Sequence, residues 1–191
     1  MPNAIFFYRI ERWLFLHHVP LLPKLIQLLI FLLYNSKITA DTKIGKGTFF
    51  VCKGVSCVLH PKSEIGDNTR LGIHLVIVGQ SPYYHCCKIG NNCWIGPNVT
   101  IQGPVIIDDG AIVAPGSVVN KSVPRDAIVA GIPAKIIGFT HELKYDIMKG
   151  ESYDKTYKPF LLDKRNKEHM INLAKINRGV LDVPTPHPID T

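Results

Sequence analysis

The sequence has five cysteines, Cys52, Cys57, Cys86, Cys87 and Cys93, but no pair at the CxxC spacing of a zinc or redox site. Their number is odd, which argues against a disulfide framework and for reduced thiols in a cytosolic setting. His85 adjoins Cys86 and Cys87 without the spacing of a structural zinc site, so no metal is expected. No apolar run reaches the roughly 20 residues that cross a bilayer. The densest stretch, Leu22 to Tyr34, is short and interrupted. No small-residue cleavage site marks a signal peptide. Aromatic and basic residues are not interleaved as single-stranded nucleic acid would require, so no nucleic-acid partner is expected. Acidic side chains are the minority, 15 against 22 Lys and Arg, giving a formal charge of +7. That balance favours anionic partners in general: a phosphorylated cofactor, an acidic glycan, a membrane surface or nucleic acid.

What the chain does have is a six-residue rhythm. Ile65, Leu71, Ile77, Ile89, Ile95, Ile101, Ile107, Val113 and Val119 fall in register, with one double step between Ile77 and Ile89. The register runs back through Leu59 to Phe50, Ile44 and Ile38, with a step of nine from Phe50 to Leu59. Four places after each anchor stands another compact residue, such as Thr42, Thr48, Ser63, Thr69, Cys93, Ala111 or Ser117. A period of six carries an apolar stripe around an α-helix, so it excludes one. It suits a parallel β-helix, in which each hexad is a short strand and a turn, with the aliphatic residue inward and Gly, Asn or Asp at the corner. Stacked coils bury a column that no single repeat buries alone.

Three segments follow. Residues 1–36 are apolar and broken by Pro20 and Pro23, which predicts two short helices packed on the β-helix or on a neighbouring subunit. Arg9, Arg12 and Lys24 flank this apolar surface as they would at a lipid headgroup layer, so peripheral membrane contact is the second reading. Residues 37–138 form the β-helix. Two insertions interrupt it, one around Cys52-Lys53-Gly54-Val55 and one from Gly79 to Lys88, and such insertions become loops on a binding face. Residues 139–191 are a helical and extended tail, with helices expected over 141–149 and 164–177. The fold class is therefore mainly β: a parallel β-helix with short N-terminal helices and a C-terminal helical tail.

The segments Ile89-Gly90-Asn91-Asn92-Cys93-Trp94-Ile95-Gly96-Pro97-Asn98, Val113-Ala114-Pro115-Gly116-Ser117 and Gly131-Ile132-Pro133-Ala134-Lys135 carry a resemblance. The chain resembles the left-handed β-helix (hexapeptide-repeat) acyltransferases, and within them the serine acetyltransferase-like O-acetyltransferases. The resemblance implies a homotrimer with acetyl-CoA in a groove between two β-helices. It assigns Gly96, Pro97, Pro115 and Pro133 to the cofactor, and Lys121 and Lys135 to its phosphates. Acetyl transfer to a hydroxyl needs a base. The family places a histidine in the first insertion, where this chain has Cys52 and Lys53. A second family histidine precedes the K-I-G repeat, and His85 stands within one place of it. The order of candidates is His85, then His74, then a covalent relay through Cys52. Lys53, Tyr83 and Tyr84 are candidate substrate contacts, because aromatic faces stack on sugar rings.

The expected function is acetyl transfer from acetyl-CoA to a sugar hydroxyl in surface polysaccharide synthesis. That preference rests on the Tyr83-Tyr84 loop and on an apolar N-terminal segment of only 36 residues, where the serine acetyltransferases carry a longer helical domain. The alternatives are serine O-acetylation for cysteine synthesis and a catalytically inactive scaffold. The expected setting is the cytoplasm, at the inner face of the membrane.

Overall fold

The computed structural model describes residues 1–83, 86–143, 145–146, 148 and 151–152. From Lys37 to Val129 the chain winds as the expected left-handed parallel β-helix, in five coils. Each coil lays one short strand on each of three faces. The first face stacks Lys37, Val58, Val76–Val78, Thr100–Gln102 and Val118–Val119. The second stacks Lys43–Ile44, Glu64–Ile65, Cys87–Ile89, Val105–Ile107 and Val123. The third stacks Phe49–Phe50, Arg70–Leu71, Trp94–Ile95, Ile112–Val113 and Ala127–Gly131. Ala134–Phe139 then turns back antiparallel and ends the third face.

The anchors point inward as the register requires. On the third face Phe50, Leu71, Ile95 and Val113 are fully buried, and no anchor from Ile38 to Val129 exceeds 5% exposure. Removing each such side chain from water contributes about 1.5–3 kcal/mol, so the column is the main source of cohesion. The compact residues between anchors join the coils by hydrogen bonds. Thr48 Oγ1 accepts from the Thr69 amide at 2.9 Å and donates to the Gly66 carbonyl at 2.7 Å. Thr69 Oγ1 accepts from the Cys93 amide at 3.1 Å and donates to the Gly90 carbonyl at 3.0 Å. The hydrogen bonds of Thr48 and Thr69 therefore offset the cost of burying their hydroxyls. Where the rhythm is unbroken, facing residues are 18 apart, as Asn91 and Asp109 are. The first insertion lengthens its coil to 21 and the second to 24.

Corner residues are constrained by the coil above. A Cβ on Gly96 would lie 2.7 Å from the Pro115 nitrogen and 2.8 Å from the Val113 carbonyl oxygen. Glycine is needed there for close approach.

The N-terminal segment forms α1 (Ala4–Leu16) and α2 (Leu22–Tyr34), packed together. Asn3 caps α1 by accepting from the Ile5 amide. Pro20 lies between the helices, and Pro23 falls in the first turn of α2, where no amide is required. α1 lies against the first coil, and its inward face is polar. Tyr8 Oη donates to the Thr42 carbonyl and accepts from the Ile44 amide. Arg9 donates to the carbonyls of Ile44 and Gly45, and Arg12 to those of Ala40 and Thr42. Glu11 Oε1 accepts from the Ala40 amide at 3.0 Å. These bonds satisfy backbone groups of the first coil that have no coil beneath them. The expectation that Arg9 and Arg12 flank an outer apolar surface is therefore corrected: both turn inward, because uncovered carbonyls are the stronger attraction. Among the described residues, no helix is long and apolar enough to cross a membrane.

The helix expected over 141–149 is also corrected. Thr140–Glu142 makes a single 3₁₀ turn, because the Glu142 carboxylate reaches back to accept from the Phe139 amide at 2.9 Å. Tyr145–Asp146 then pairs antiparallel with Glu151–Ser152 in a second compact unit, separate from the one that holds Met1–Leu143. The helix expected over 164–177 lies outside the described residues.

Two outcomes follow. Ile95→Asp places an unpaired charge in the buried column and should abolish cooperative unfolding by circular dichroism. Glu11 is 2% exposed, and Oε2 has no partner. Burial, with the Asp41 charge adding to it, lifts its pKa from 4.5 to about 7. A raised folded pKa gives stability that is complete below 4.5 and lost as pH rises through about 7, roughly 3 kcal/mol at most. Denaturant midpoints of the wild type should fall across that window, and Glu11→Gln should remove this fall.

Candidate active site

Three edges separate the three faces, and the sequence-predicted site residues divide between two of them. The edge between the third and first faces carries Val51–Ser56, then Gly72 to His74, Gly96 to Asn98, Ala114 to Gly116 and the closing turn at Gly131. The edge between the first and second faces carries His60, Gly79 to Tyr83 with Cys86, Gly103-Pro104 and Asn120 to Ser122. Each face is one hexad wide, at most about 20 Å. Both insertions thus flank the first face from opposite sides.

On the edge between the third and first faces, the first insertion holds the start of α1. The Lys53 carbonyl accepts from the Ala4 amide at 2.9 Å, and the Ala4 side chain packs on Gly54. Cys52 and Lys53 are exposed, and Lys53 adopts a left-handed φ of 61°. One coil on, His74 is exposed with φ 57°, and its amide donates to the Val55 carbonyl. His74 Nδ1 lies 2.8 Å from Asn98 Oδ1. An amide oxygen only accepts, so Nδ1 is the donor, and in the neutral ring the lone pair is then on Nε2. That is the tautomer a general base needs, with Asn98 as its orienting group.

The cofactor candidates are also split. Gly96, Pro97, Pro115 and Pro133 lie along the His74 edge, and exposed Lys135 pairs with Ala130 beside the closing turn. Lys121, also exposed, lies on the opposite edge. One chain therefore does not bring the two lysines to one phosphate.

On the edge between the first and second faces, Tyr83 is exposed and its amide donates to the Gln80 carbonyl. Tyr84 and His85 lie outside the described residues. His60 is structural: Nδ1 accepts from the Lys62 amide, and its carbonyl accepts from Ser63 Oγ. Just past the loop, Cys86 and Cys87 line a concavity of about 520 Å³ with Lys62, Lys88, Pro104 and Ser122. Interaction with the neighbouring Cys87 thiol draws the Cys86 pKa down to about 7, while the same interaction and burial push Cys87 up. From sequence these two stood only as reduced thiols or metal ligands. Their position before a strand gave no sign that the two thiols interact. The His74–Asn98 pair was also missed, because a spacing of one long coil links two residues of unlike motifs. Among the described residues, no three His, Cys, Asp or Glu side chains are grouped to hold a metal.

Comparison with known proteins places this geometry. The family model "Bacterial transferase hexapeptide (six repeats)" matches residues 86–121. The chain belongs to the hexapeptide-repeat transferase family. Among curated relatives of this hexapeptide-repeat protein is a serine acetyltransferase of Synechococcus elongatus, 28% identical over 137 residues, covering 71% of this chain and 56% of that protein. A putative lipopolysaccharide biosynthesis O-acetyl transferase of Escherichia coli is 46% identical over 57 residues, 29% of each chain. Among solved structures, serine acetyltransferase of Brucella abortus in complex with coenzyme A superposes with a TM-score of 0.67 at 27% identity, covering 72% of this chain and 55% of that one. The chain thus spans just over half the length of these two serine acetyltransferases.

The interaction between the Cys86 and Cys87 thiols is measurable. Iodoacetamide labelling of Cys86, followed by peptide mass spectrometry, should rise with a midpoint near pH 7. Cys87→Ala removes that interaction and should move the midpoint toward the ordinary thiol value of about 8.5.

Proposed function

We propose that the chain is an acetyl-CoA-dependent O-acetyltransferase whose sites form between protomers of a homotrimer in the cytoplasm, at the inner face of the membrane. The observation that carries the reading is the match, over about seven-tenths of the chain, to serine acetyltransferases, one of them bound to coenzyme A. Five free thiols support a reducing compartment. The trimer is supported by the split of the candidate residues. His74 and Pro97 lie on one edge and the Tyr83 loop on another, so a single prism cannot close both on one substrate. Two adjacent prisms can, and cyclic assembly repeats the arrangement three times. The third face offers a contact surface in the outward column of Phe49, Arg70, Trp94 and Ile128, in which Ile112 is already buried.

In this reading His74 Nε2 or His85 takes the acceptor hydroxyl proton. The hydroxyl oxygen attacks the acetyl carbonyl carbon, the carbon–sulfur bond breaks, and coenzyme A leaves as a thiol. Lys135 of one protomer and Lys121 of the next meet the cofactor phosphates. Serine is now the better-supported acceptor, because the relatives matched over the longest stretch carry that name. The sugar hydroxyl preferred from sequence becomes the second reading. Exposed Tyr83 favours it, together with the short but closer match to the lipopolysaccharide enzyme.

Thiol release from acetyl-CoA, with serine, nucleotide sugars and oligosaccharides offered in turn, decides the acceptor. His74→Ala or His85→Ala should lower turnover by roughly 10²–10⁴-fold and leave coenzyme A binding unchanged. If both histidines serve one shared site, co-refolding the two inactive variants should restore about a quarter of the sites by random assortment in trimers. No turnover with any acceptor and no coenzyme A binding would establish the scaffold alternative.

A further inference from the structure

The helix pair packs Ala4, Tyr8, Ile30 and Tyr34 on the core and still keeps an apolar outer surface. Its polar side chains, Tyr8, Arg9, Glu11 and Arg12, are spent on the backbone of the first coil. Its outer surface is apolar: Trp13 on α1 is 57% exposed, and Leu25 and Leu32 on α2 are 58% and 70% exposed. α2 buries only Ile30 and Tyr34. The connection between the helices shows the same bias. Leu21 takes a left-handed φ of 65° and is 73% exposed. A leucine is unfavourable in that conformation by about 1–2 kcal/mol, and its side chain gains nothing from water. Contiguous apolar surface of this kind marks an interaction site.

Charge identifies the occupant. Between Met1 and Lys37 the only acidic residue is Glu11, and it is buried against the coil. Lys24, Lys37, His17 and His18 are exposed around the apolar surface. A second copy docked face to face would set Lys24 and Lys37 against their counterparts, and the exposed Asp41 carboxylate, which shares a concavity with Lys24 and Leu21, answers at most one of them. An anionic headgroup layer answers both lysines and imposes no register on the leucines. Each helix has 13 residues, about 20 Å, too short for a hydrocarbon core of about 30 Å.

We propose that α1 and α2 lie in the plane of an anionic lipid bilayer, with the Leu21 connection and the leucines of α2 among the acyl chains and Lys24 and Lys37 at the headgroups. This gives the proposed membrane contact its lipid class and orientation. It rests on the helix pair and not on acetyl transfer, so its test reads no activity.

The full chain is mixed with large unilamellar vesicles of phosphatidylcholine alone, or with phosphatidylglycerol added, and sedimented. The expected result is co-sedimentation with the anionic vesicles, at least tenfold weaker with phosphatidylcholine alone and weakened by salt. Leu25→Asp with Leu32→Asp should leave the protein in the supernatant while its circular dichroism and melting temperature stay unchanged. Both positions are outward and exposed, so the fold does not depend on them. Lys24→Glu should reduce binding to anionic vesicles only. Wild type that stays in the supernatant with both vesicles overturns the proposal. So does a double variant that binds as before, or one whose only change is a smaller particle in size-exclusion chromatography, which would assign the face to a second copy. Equal binding to both vesicles overturns the assignment to anionic lipid.

Discussion

The molecule depends on one interaction repeated upward: the hydrogen bond from a backbone amide in one coil to a carbonyl in the next. Gly66 to Ile89 and Gly90 to Ile107, both 2.8 Å, are two links of that ladder. It forms only if each coil closes after three hexads, or after three plus a loop that leaves the wall. The aliphatic column then falls in line, because every anchor sits above another anchor. The corner glycines follow from the same demand, since coils at ladder spacing leave no room for a Cβ at Gly72 or Gly96. Packing, corners and loops are thus consequences of a single vertical repeat.

That repeat is why so much of the fold was legible. A six-residue period is a statement about one residue at a time, and each aliphatic anchor could be placed without knowing its neighbours. The breaks at Pro20 and at the two insertions were equally local. What resisted reading was relational. Arg9 and Arg12 looked like flanking cations because the sequence does not say which carbonyls lack partners, and only the exposed base of the first coil does. Glu142 looked like a helix residue, but its carboxylate closes a single turn on Phe139. His74 and Asn98 are separate by motif and adjacent only because the 24-residue coil lifts one above the other.

The candidate site was less legible than the fold for the same reason. Hexads assign a residue to a face, but function depends on which edges face each other. His74, Cys52 and the prolines share one edge, and the Tyr83 loop and Lys121 share another. Sequence order interleaves these groups and hides the division. The resemblance called for a histidine where this chain has Cys52 and Lys53. The structure gives that insertion a different task, anchoring the first turn of α1, alongside an outward histidine held in a basic tautomer one coil above.

The two ends of the solenoid are unlike each other. At the base, guanidinium, phenol and carboxyl groups of α1 already occupy the open carbonyls and amides of the first coil. At the top, Ala134–Phe139 runs against the direction of every strand beneath it. A solenoid with bare ends is a template, since any further coil can add to it and a second molecule can serve as that coil. Among the described residues each end is closed to a further parallel strand on at least one face, the base of the second face by α1 and the top of the third face by Ala134–Phe139, so a stack of prisms would be interrupted at those faces.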